Sequence, residues 1–241
     1  MKIIEHIKSD WFRYGFETLA VIVGILSAFA LENWRDTQVI KQEEHGILVN
    51  LRSDLIEAKQ QSSDIIIREE NSREYLIWAL NLHSTNEHLT QDLLTDSTLY
   101  TILWHVEMEV PIINAYSDIK NTGKTGLITN EQIRQRFTSL ELDIHNLSNQ
   151  IDDRLRVQQI RIDDITVSDL DFIQTISYRY PEIQTPDHLE NDYYTLLKDQ
   201  RIRNLMGLKL DLTAAVIRYR KALDAEIGTL ISFLDEEIKD L

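Results

Sequence analysis

Residues 14–31, YGFETLAVIVGILSAFAL, constrain this chain more than any other stretch, because they form its only long apolar run. A helix that crosses the ~30 Å hydrocarbon core of a bilayer needs about 20 mostly apolar residues. The run is slightly short for that length, but aromatic residues flank it: Trp11, Phe12 and Tyr14 on one side and Trp34 on the other. Such side chains anchor spans at the two membrane interfaces. The sequence therefore predicts a transmembrane helix over residues 14–36.

Two alternatives pass the same test of length and apolarity. One is a buried core helix of a soluble protein, although such helices usually have apolar runs of about 10–14 residues. The other is a secretory signal peptide, since Lys2 and Lys8 precede the run. A signal peptide is disfavoured because Leu31-Glu32-Asn33-Trp34-Arg35 stands where small residues should mark a cleavage site.

One face of the predicted span is small and polar. At 100° per residue, Glu17, Ala20, Gly24 and Ala28 share a stripe, and bulky side chains such as Leu26 and Phe29 lie opposite. Small residues at this spacing let helix backbones approach closely in lipid, and a carboxyl group on the same stripe favours a protein or water environment. The stripe predicts a contact with another span. The alternative is that the small residues are common membrane residues and Glu17 extends to the interface.

Residues 16–34, FETLAVIVGILSAFALENW, resemble the opening signature of a family of uncharacterised bacterial single-span membrane proteins. That family, a domain of unknown function, has a Gly-Glu pair, an internal Gly-Ile-Leu and an Asn-Trp pair, and the resemblance extends through 116–127 and 203–205. This chain departs from the pattern at Phe16, where the family usually has Gly, and at Glu32, where it usually has Asn. The resemblance implies topology and fold, and it implies no activity.

The distribution of basic residues predicts the orientation of the span. Lys2, Lys8 and Arg13 precede it, whereas Arg35 and Lys41 are the nearest basic residues after it. Basic residues favour the cytoplasmic side, so we expect a cytoplasmic N-terminus in a bacterial inner membrane and a large domain in the periplasm. The absence of cysteine is compatible with either side.

The net charge of −15 lies almost wholly beyond residue 36, because residues 1–36 contain four basic and five acidic side chains. An acidic surface repels nucleic acid, so no nucleic-acid partner is expected. The expected partners are the lipid bilayer and further copies of the chain or other membrane subunits. With 43% hydrophobic residues, the large domain can still bury a core.

Seven glycines and three prolines are too few for a sheet protein with many tight turns, so long helices are predicted. The expected helices cover 37–83, 90–106, 111–119, 130–177 and 200–239. Thr129 and Gln132 have the spacing of a capping box, and apolar residues from Ile133 to Ile151 follow at heptad spacing. The predicted fold is all-α: a short N-terminal segment (1–13), one transmembrane helix (14–36) and an elongated antiparallel helical bundle (37–241).

Motifs for chemistry are weak. Gly123-Lys124-Thr125 imitates the end of a phosphate-binding loop, but Asp118 stands where that loop requires glycine, so a turn that ends a helix is predicted. His83, His88 and His105 lack the spacing of metal ligands. The aspartates of 152–171 lack the glycine and glutamate of a calcium loop and indicate a solvated face. We expect no catalytic residue, no metal and no cofactor.

Four tyrosines cluster in sequence around two prolines: Tyr178, Tyr180, Tyr193 and Tyr194. An aromatic turn at the end of a bundle can bind a partner, but the same residues can close the end of the core. A second loop is expected at residues 84–87.

The sequence as a whole predicts a non-enzymatic, single-pass membrane protein that acts by assembly, as a homo-oligomeric scaffold or as an accessory subunit. Two alternatives remain open. One is an oligomeric ion channel lined by the Glu17, Gly24 and Ala28 stripe, and the other is an envelope sensor whose bundle binds a small ligand.

Overall fold

The computed structural model describes residues 3–82, 93–184 and 191–240, with side chains from residue 14 onward. The two long helices are α1 (Ile3–Leu80) and α8 (Gln200–Asp240), and a third, α4 (Glu131–Val157), packs with them. The shorter helices are α2 (Asp96–Leu103), α3 (Asn114–Asn121), α5 (Ile165–Ser168), α6 (Phe172–Ser177) and α7 (Tyr193–Lys198). Within these ranges there is no strand, so the predicted all-α class is confirmed.

Helix α1 is one continuous helix of 78 residues that passes through two environments. Residues 14–43 are exposed throughout, and Glu44, at 1% exposure, is the first buried residue. The boundary expected at residue 36 therefore falls inside a helix. Neither Gly46 nor the Ser62-Ser63 pair interrupts it. The same helix that carries the apolar run thus also forms one wall of the bundle.

Helices α1 and α4 run parallel to each other and antiparallel to α8. Along α1, Arg52 pairs with Asp235, Lys59 with Asp224, and the Leu80 carbonyl with Arg203. Along α4, Asn130 pairs with Glu237 and Arg136 with Glu226. In these pairs, the residue numbers on α8 decrease as those on α1 and α4 increase, which is the pattern of antiparallel helices. Since the 41 residues of α8 extend about 60 Å, the predicted elongated antiparallel bundle is confirmed.

The core follows a heptad repeat on all three helices. From residue 44 to 79 on α1, the buried positions recur at alternating steps of four and three: Glu44, Leu48, Leu51, Leu55, Ala58, Ser62, Ile65, Glu69, Ser72, Leu76 and Ala79. Two apolar clusters result. The proximal cluster centres on Leu51, Phe137 and Ile227, and the distal cluster centres on Leu99, Leu197 and Met206. Between them lies a polar layer, which consists of Glu69, Glu107, Arg154, Gln158, Lys209 and Arg220.

Two helix starts differ from the sequence prediction because tertiary contacts set them. The cap of α4 is Asn130, whose Oδ1 accepts from the N–H groups of Gln132 and Ile133, while Thr129 donates instead to the buried Glu44 carboxylate. Helix α3 starts at Asn114 and not at Pro111, because the Asp54 carboxylate of α1 accepts the N–H of Ala115 at 2.6 Å. Helix α1 therefore supplies an acceptor at both starts. Glu44 accepts from the residue before the cap of α4, and Asp54 accepts from the first turn of α3.

The helix predicted over 130–177 is wrong beyond Val157. A π-helical turn follows over Gln158–Ile162, and its last bond joins the N–H of Asp163 to the Gln158 carbonyl at 2.9 Å. Asp171 then caps the separate helix α6 by accepting from Ile173 and Gln174. Aspartate side chains favour caps and turns over helix interiors, which accounts for the interruption. The helix predicted over 90–106 is shorter and covers Asp96–Leu103, because residues 93–95 and 104–106 are not helical; residues 90–92 lie outside the described part.

Candidate functional site

The apolar run forms an exposed helical surface. Its best 18-residue window has a mean hydropathy of 1.8, and none of that window is buried within the chain. Large apolar side chains such as Phe16, Leu26 and Phe29 are each more than half exposed. The alternative of a buried core helix is therefore wrong for this chain. By length and composition, this one helix among the described residues could cross a membrane.

The predicted contact stripe and anchors lie on this helix, away from the bundle. Glu17, Ala20, Gly24 and Ala28 are exposed, and a Cβ added at Gly24 would have no atom within 4 Å. Tyr14 and Trp34 are 63% and 64% exposed, and the residues between them span about 30 Å of helix, which matches a hydrocarbon core. The side chains of Trp11 and Phe12 lie outside the described part. Contact and anchoring by these residues stay predictions.

The polar layer is built around one buried carboxylate from α1. Glu69, at 1% exposure, accepts two parallel hydrogen bonds of 2.8 Å from Arg154 of α4 and one of 3.2 Å from Arg220 of α8. Burial lowers the pKa of Arg220, and the charge of Glu69 acts against that shift. One carboxylate thus joins the three long helices at a single level of the bundle.

The two arginines also hold an extended connector, residues 104–113, against the bundle. Arg154 donates to the Glu107 carbonyl at 2.5 Å, and Arg220 donates to the Glu109 carbonyl at 2.7 Å. The connector is only partly buried, but a carbonyl that faces the core needs a donor, and here the two arginines supply it. Burial alone would raise the pKa of the Glu107 carboxyl, but hydrogen bonding and charge from Arg68 and the charge of His105 hold it below its ordinary value. The connector is therefore fixed at both backbone and side chain.

Lys209 is the remaining cation of the polar layer and is 3% exposed. Its Nζ donates to the Leu103 carbonyl at 2.7 Å, which also accepts from Gln158 Nε2 at 3.0 Å. Burial and the nearby charge of Arg154 lower the pKa of Lys209 to about 7, while Asp163 and Glu69 act in the opposite direction. This lysine is not paired directly with a carboxylate in the described structure, so its charge is the least compensated in the layer.

Sequence reasoning missed the polar layer, although a signal for it exists. The heptad repeat of α4 continues from Ile151 to Arg154 and Gln158, and that of α8 includes Lys209, Thr213 and Arg220. Extending the repeat through polar residues would have placed them in the core. Tyr219 lies between the heptad positions Val216 and Arg220 and is 40% exposed.

The four tyrosines do not share one surface. Tyr193 and Tyr194 are each 8% exposed and belong to the distal cluster, whereas Tyr178 and Tyr180 are 45% and 47% exposed. The Tyr193 hydroxyl donates to Asp96 and lies 3.1 Å from the Thr175 hydroxyl. These contacts join α2, α6 and α7. A partner contact at the two exposed tyrosines stays a prediction.

The weak chemical motifs have structural roles where they are described. Gly123 ends α3 with φ 71°, so the predicted helix-ending turn is confirmed. His105 Nε2 lies 3.2 Å from Glu107 Oε1, which also accepts from Arg68. Among the described residues, no three His, Cys, Asp or Glu side chains converge as metal ligands. His83, His88, residues 84–87 and the Thr185-Pro186 pair lie outside the described part.

Comparison of the chain with protein-family models, with curated proteins and with solved structures found no match.

Proposed function

We propose that this chain is a non-enzymatic, single-pass membrane protein that acts by assembly, as a homo-oligomer or as an accessory subunit of a membrane complex. One observation carries the proposal: an exposed apolar helical segment of membrane length continues, in the same helix, into the core of a folded bundle. That continuity favours a retained anchor over a cleaved leader. The resemblance to single-span bacterial membrane proteins agrees with this topology.

The geometry supports a bundle held at a set distance from the bilayer. Residues 35–43, which we term the neck, are exposed and include Arg35, Asp36, Lys41 and Glu43. A helical neck of this length extends about 14 Å, whereas the headgroup region of one leaflet is about 5–8 Å thick, so the neck would pass through the headgroups and hold the bundle beyond them. Beyond it, α1 continues through the bundle without a break. Lateral association of the spans would therefore set the spacing and orientation of neighbouring bundles.

We further propose a cytoplasmic N-terminus and a periplasmic bundle in a bacterial inner membrane. Single cysteines at Ser9 and at the exposed Ser53 test this orientation, because the natural chain contains no cysteine. A membrane-impermeant thiol reagent, applied after the outer membrane is permeabilised, should label the cysteine at position 53 alone. Labelling at position 9 alone would contradict the orientation.

Assembly through the small-residue stripe is tested by Gly24→Leu. Within one chain an added Cβ at this position has no atom within 4 Å, so the substitution leaves the fold of the monomer unchanged. On the stripe, leucine would separate the backbones of neighbouring spans. The mass of the detergent-solubilised protein, measured by light scattering, should fall to that of a smaller species.

Gly15→Leu is the matched control. Gly15 lies about 180° around the helix from Gly24, and an added Cβ there also has no atom within 4 Å. We expect this variant to keep the mass of the wild type. If Gly24→Leu assembles normally, the stripe is not the contact. If the purified wild type conducts ions and Glu17→Gln alters its selectivity, the channel alternative replaces the scaffold.

A further inference from the structure

A surface cleft of about 530 Å³ lies where the connector meets the π-helical turn. Aromatic side chains form one part of its wall: Tyr100, Trp104 and Phe172. The Trp104 and Phe172 rings meet edge to face at 5.0 Å, and the Tyr100 and Trp104 ring centroids are 6.1 Å apart. π-helical turns of this kind occur frequently at functional sites. The cleft therefore combines a fixed apolar wall with an irregular backbone.

Two residues that line the cleft carry buried polar atoms without a partner in the described structure. They are Oε1 of Gln158, a side chain that is 5% exposed, and Nε1 of Trp104. The two residues are neighbours, because Gln158 Nε2 donates to the carbonyl of Leu103, which precedes Trp104. Neither atom has solvent-exposed surface, so a molecule in the cleft reaches it only when the Trp104 or Gln158 side chain rotates. An unpaired buried donor or acceptor destabilises a fold by about 1–3 kcal/mol, and a rotation that gives it a partner relieves that cost.

The cleft also contains one charge of each sign. Arg179 is exposed, and its guanidinium lies 4.1 Å from the Tyr100 ring centroid and 5.9 Å from that of Tyr178. Among the described residues it forms no ion pair with a carboxylate. Asp163 is half-buried, and its Oδ1 accepts from Gln158 Nε2 at 3.0 Å. The side chains of Arg179 and Asp163 both line the cleft.

We propose that this cleft binds a small zwitterion with an apolar body, which is the chemistry of a free α-amino acid with an apolar side chain. The ligand carboxylate would pair with Arg179, and its ammonium group would donate to Asp163. Rotation of the Trp104 and Gln158 side chains toward the ligand would let Trp104 Nε1 donate to the carboxylate and Gln158 Oε1 accept from the ammonium group. The apolar side chain would pack on the rings of Tyr100 and Phe172. This one class of ligand would bond to the unpaired donor and acceptor, pair with both charges and pack on the aromatic wall.

The test uses the full chain in detergent micelles and isothermal titration calorimetry with L-phenylalanine as the probe. We expect a dissociation constant below about 1 mM. Two analogues each remove one charged group: L-phenylalaninamide lacks the carboxylate and 3-phenylpropionate lacks the ammonium group. Each should bind at least about tenfold more weakly than L-phenylalanine, because hydrogen bonds to charged groups are the stronger class.

Variants then assign each group. Arg179→Gln should weaken binding of L-phenylalanine at least about tenfold and leave binding of L-phenylalaninamide unchanged. Asp163→Asn keeps the oxygen that accepts from Gln158, and it should weaken L-phenylalanine similarly while leaving 3-phenylpropionate unchanged. Arg218→Gln and Asp152→Asn remove the same charges at exposed positions outside the cleft, and they should bind like the wild type.

Three results would overturn the proposal: no heat of binding at about 10 mM probe, equal affinity in Arg179→Gln and the wild type, or the same loss in Arg218→Gln as in Arg179→Gln. Circular dichroism checks that each variant is folded. If Asp163→Asn unfolds, the test rests on Arg179→Gln, at an exposed position, and on its affinities for L-phenylalanine and L-phenylalaninamide. None of these measurements depends on the oligomeric state, so their outcome is separate from that of the Gly24→Leu experiment.

Discussion

Replacement of Glu69 by glutamine should destabilise the bundle severely, because it removes the single carboxylate that two buried arginines share. Glu69, Arg154 and Arg220 are 1%, 3% and 2% exposed, so water cannot replace the lost charge. Glutamine keeps the size of the side chain, but its amide group directs two N–H donors toward guanidinium groups that are themselves donors. Neither arginine would then be bonded to a carboxylate, because Glu107, the other carboxylate of the layer, bonds to Arg68.

The size of the effect follows from the degree of burial. Removal of one partner of a buried ion pair costs about 3–5 kcal/mol of unfolding free energy. For a domain of this length, each kcal/mol changes the melting temperature by about 2–4 °C, so a decrease of roughly 6–20 °C is expected. Circular dichroism at 222 nm, recorded during heating in one detergent, measures it.

The adjacent residue supplies the control. Glu70 pairs with Lys221 and Arg73 at the surface, where their side chains are 57% and 42% exposed. Glu70→Gln changes the net charge by the same amount, yet an exposed pair contributes about 0–1 kcal/mol. We expect a change of at most a few degrees. If Glu69→Gln and Glu70→Gln lower the melting temperature equally, the polar layer does not hold the three helices together and the reasoning is wrong.

Two other positions give predictions with a defined dependence on pH. Because the folded chain lowers the pKa of Lys209 to about 7 from 10.5, the unfolded chain binds more protons between these values, and stability should rise with pH across that window. Lys209→Met should raise the melting temperature at pH 7 and flatten its rise between pH 7 and 9.5, since Gln158 still donates to the Leu103 carbonyl; an unchanged slope would contradict this. Burial, and then the hydrogen bond to Asp96, raise the pKa of Tyr193 from 10.0 to about 12, so its contribution is present below pH 10 and is lost as the pH rises toward 12. At pH 7, Tyr193→Phe should lower the unfolding free energy by about 1–3 kcal/mol in chemical denaturation, whereas Tyr178→Phe, at an exposed position, should not.

The long helices could be predicted from the sequence because their cores are apolar over several heptads. Helix α8 was expected over 200–239 and is Gln200–Asp240. From Leu48 to Ile65, every residue of α1 at the alternating three- and four-residue steps is buried. A repeat of apolar side chains has one physical meaning in a helical chain, namely a shared buried face, so the pattern and the structure agree.

For the polar layer, the heptad spacing places Arg154, Lys209 and Arg220 on buried faces, but it does not show which groups they bond to. The sequence alone does not distinguish an arginine at a heptad position whose guanidinium is solvated from one whose guanidinium is buried. Whether the guanidinium is buried depends on the groups that face it in the folded chain. Here the facing groups include carbonyls of the connector, and Glu107, whose carbonyl accepts from Arg154, lies 47 residues away in sequence. The end of the regular helix at Val157 was missed for a related reason, since only the folded chain shows that Gln158 bonds to Leu103 and Asp163.

The position of the polar layer suggests why this bundle has one register. A heptad core of apolar residues can slip by seven residues with little loss of packing, because each layer resembles the next. In the observed register Glu69 faces Arg220. A slip of α8 by one heptad would place Thr213 or Ile227 opposite Glu69 and would move Arg220 into a layer that contains no carboxylate. A buried charge without a partner costs several kcal/mol, so the slipped arrangements are excluded by the layer and not by the apolar clusters. Since α1 is continuous from the exposed apolar segment to this layer, the register that Glu69 sets also fixes where α4 and α8 lie relative to the neck and the predicted membrane surface.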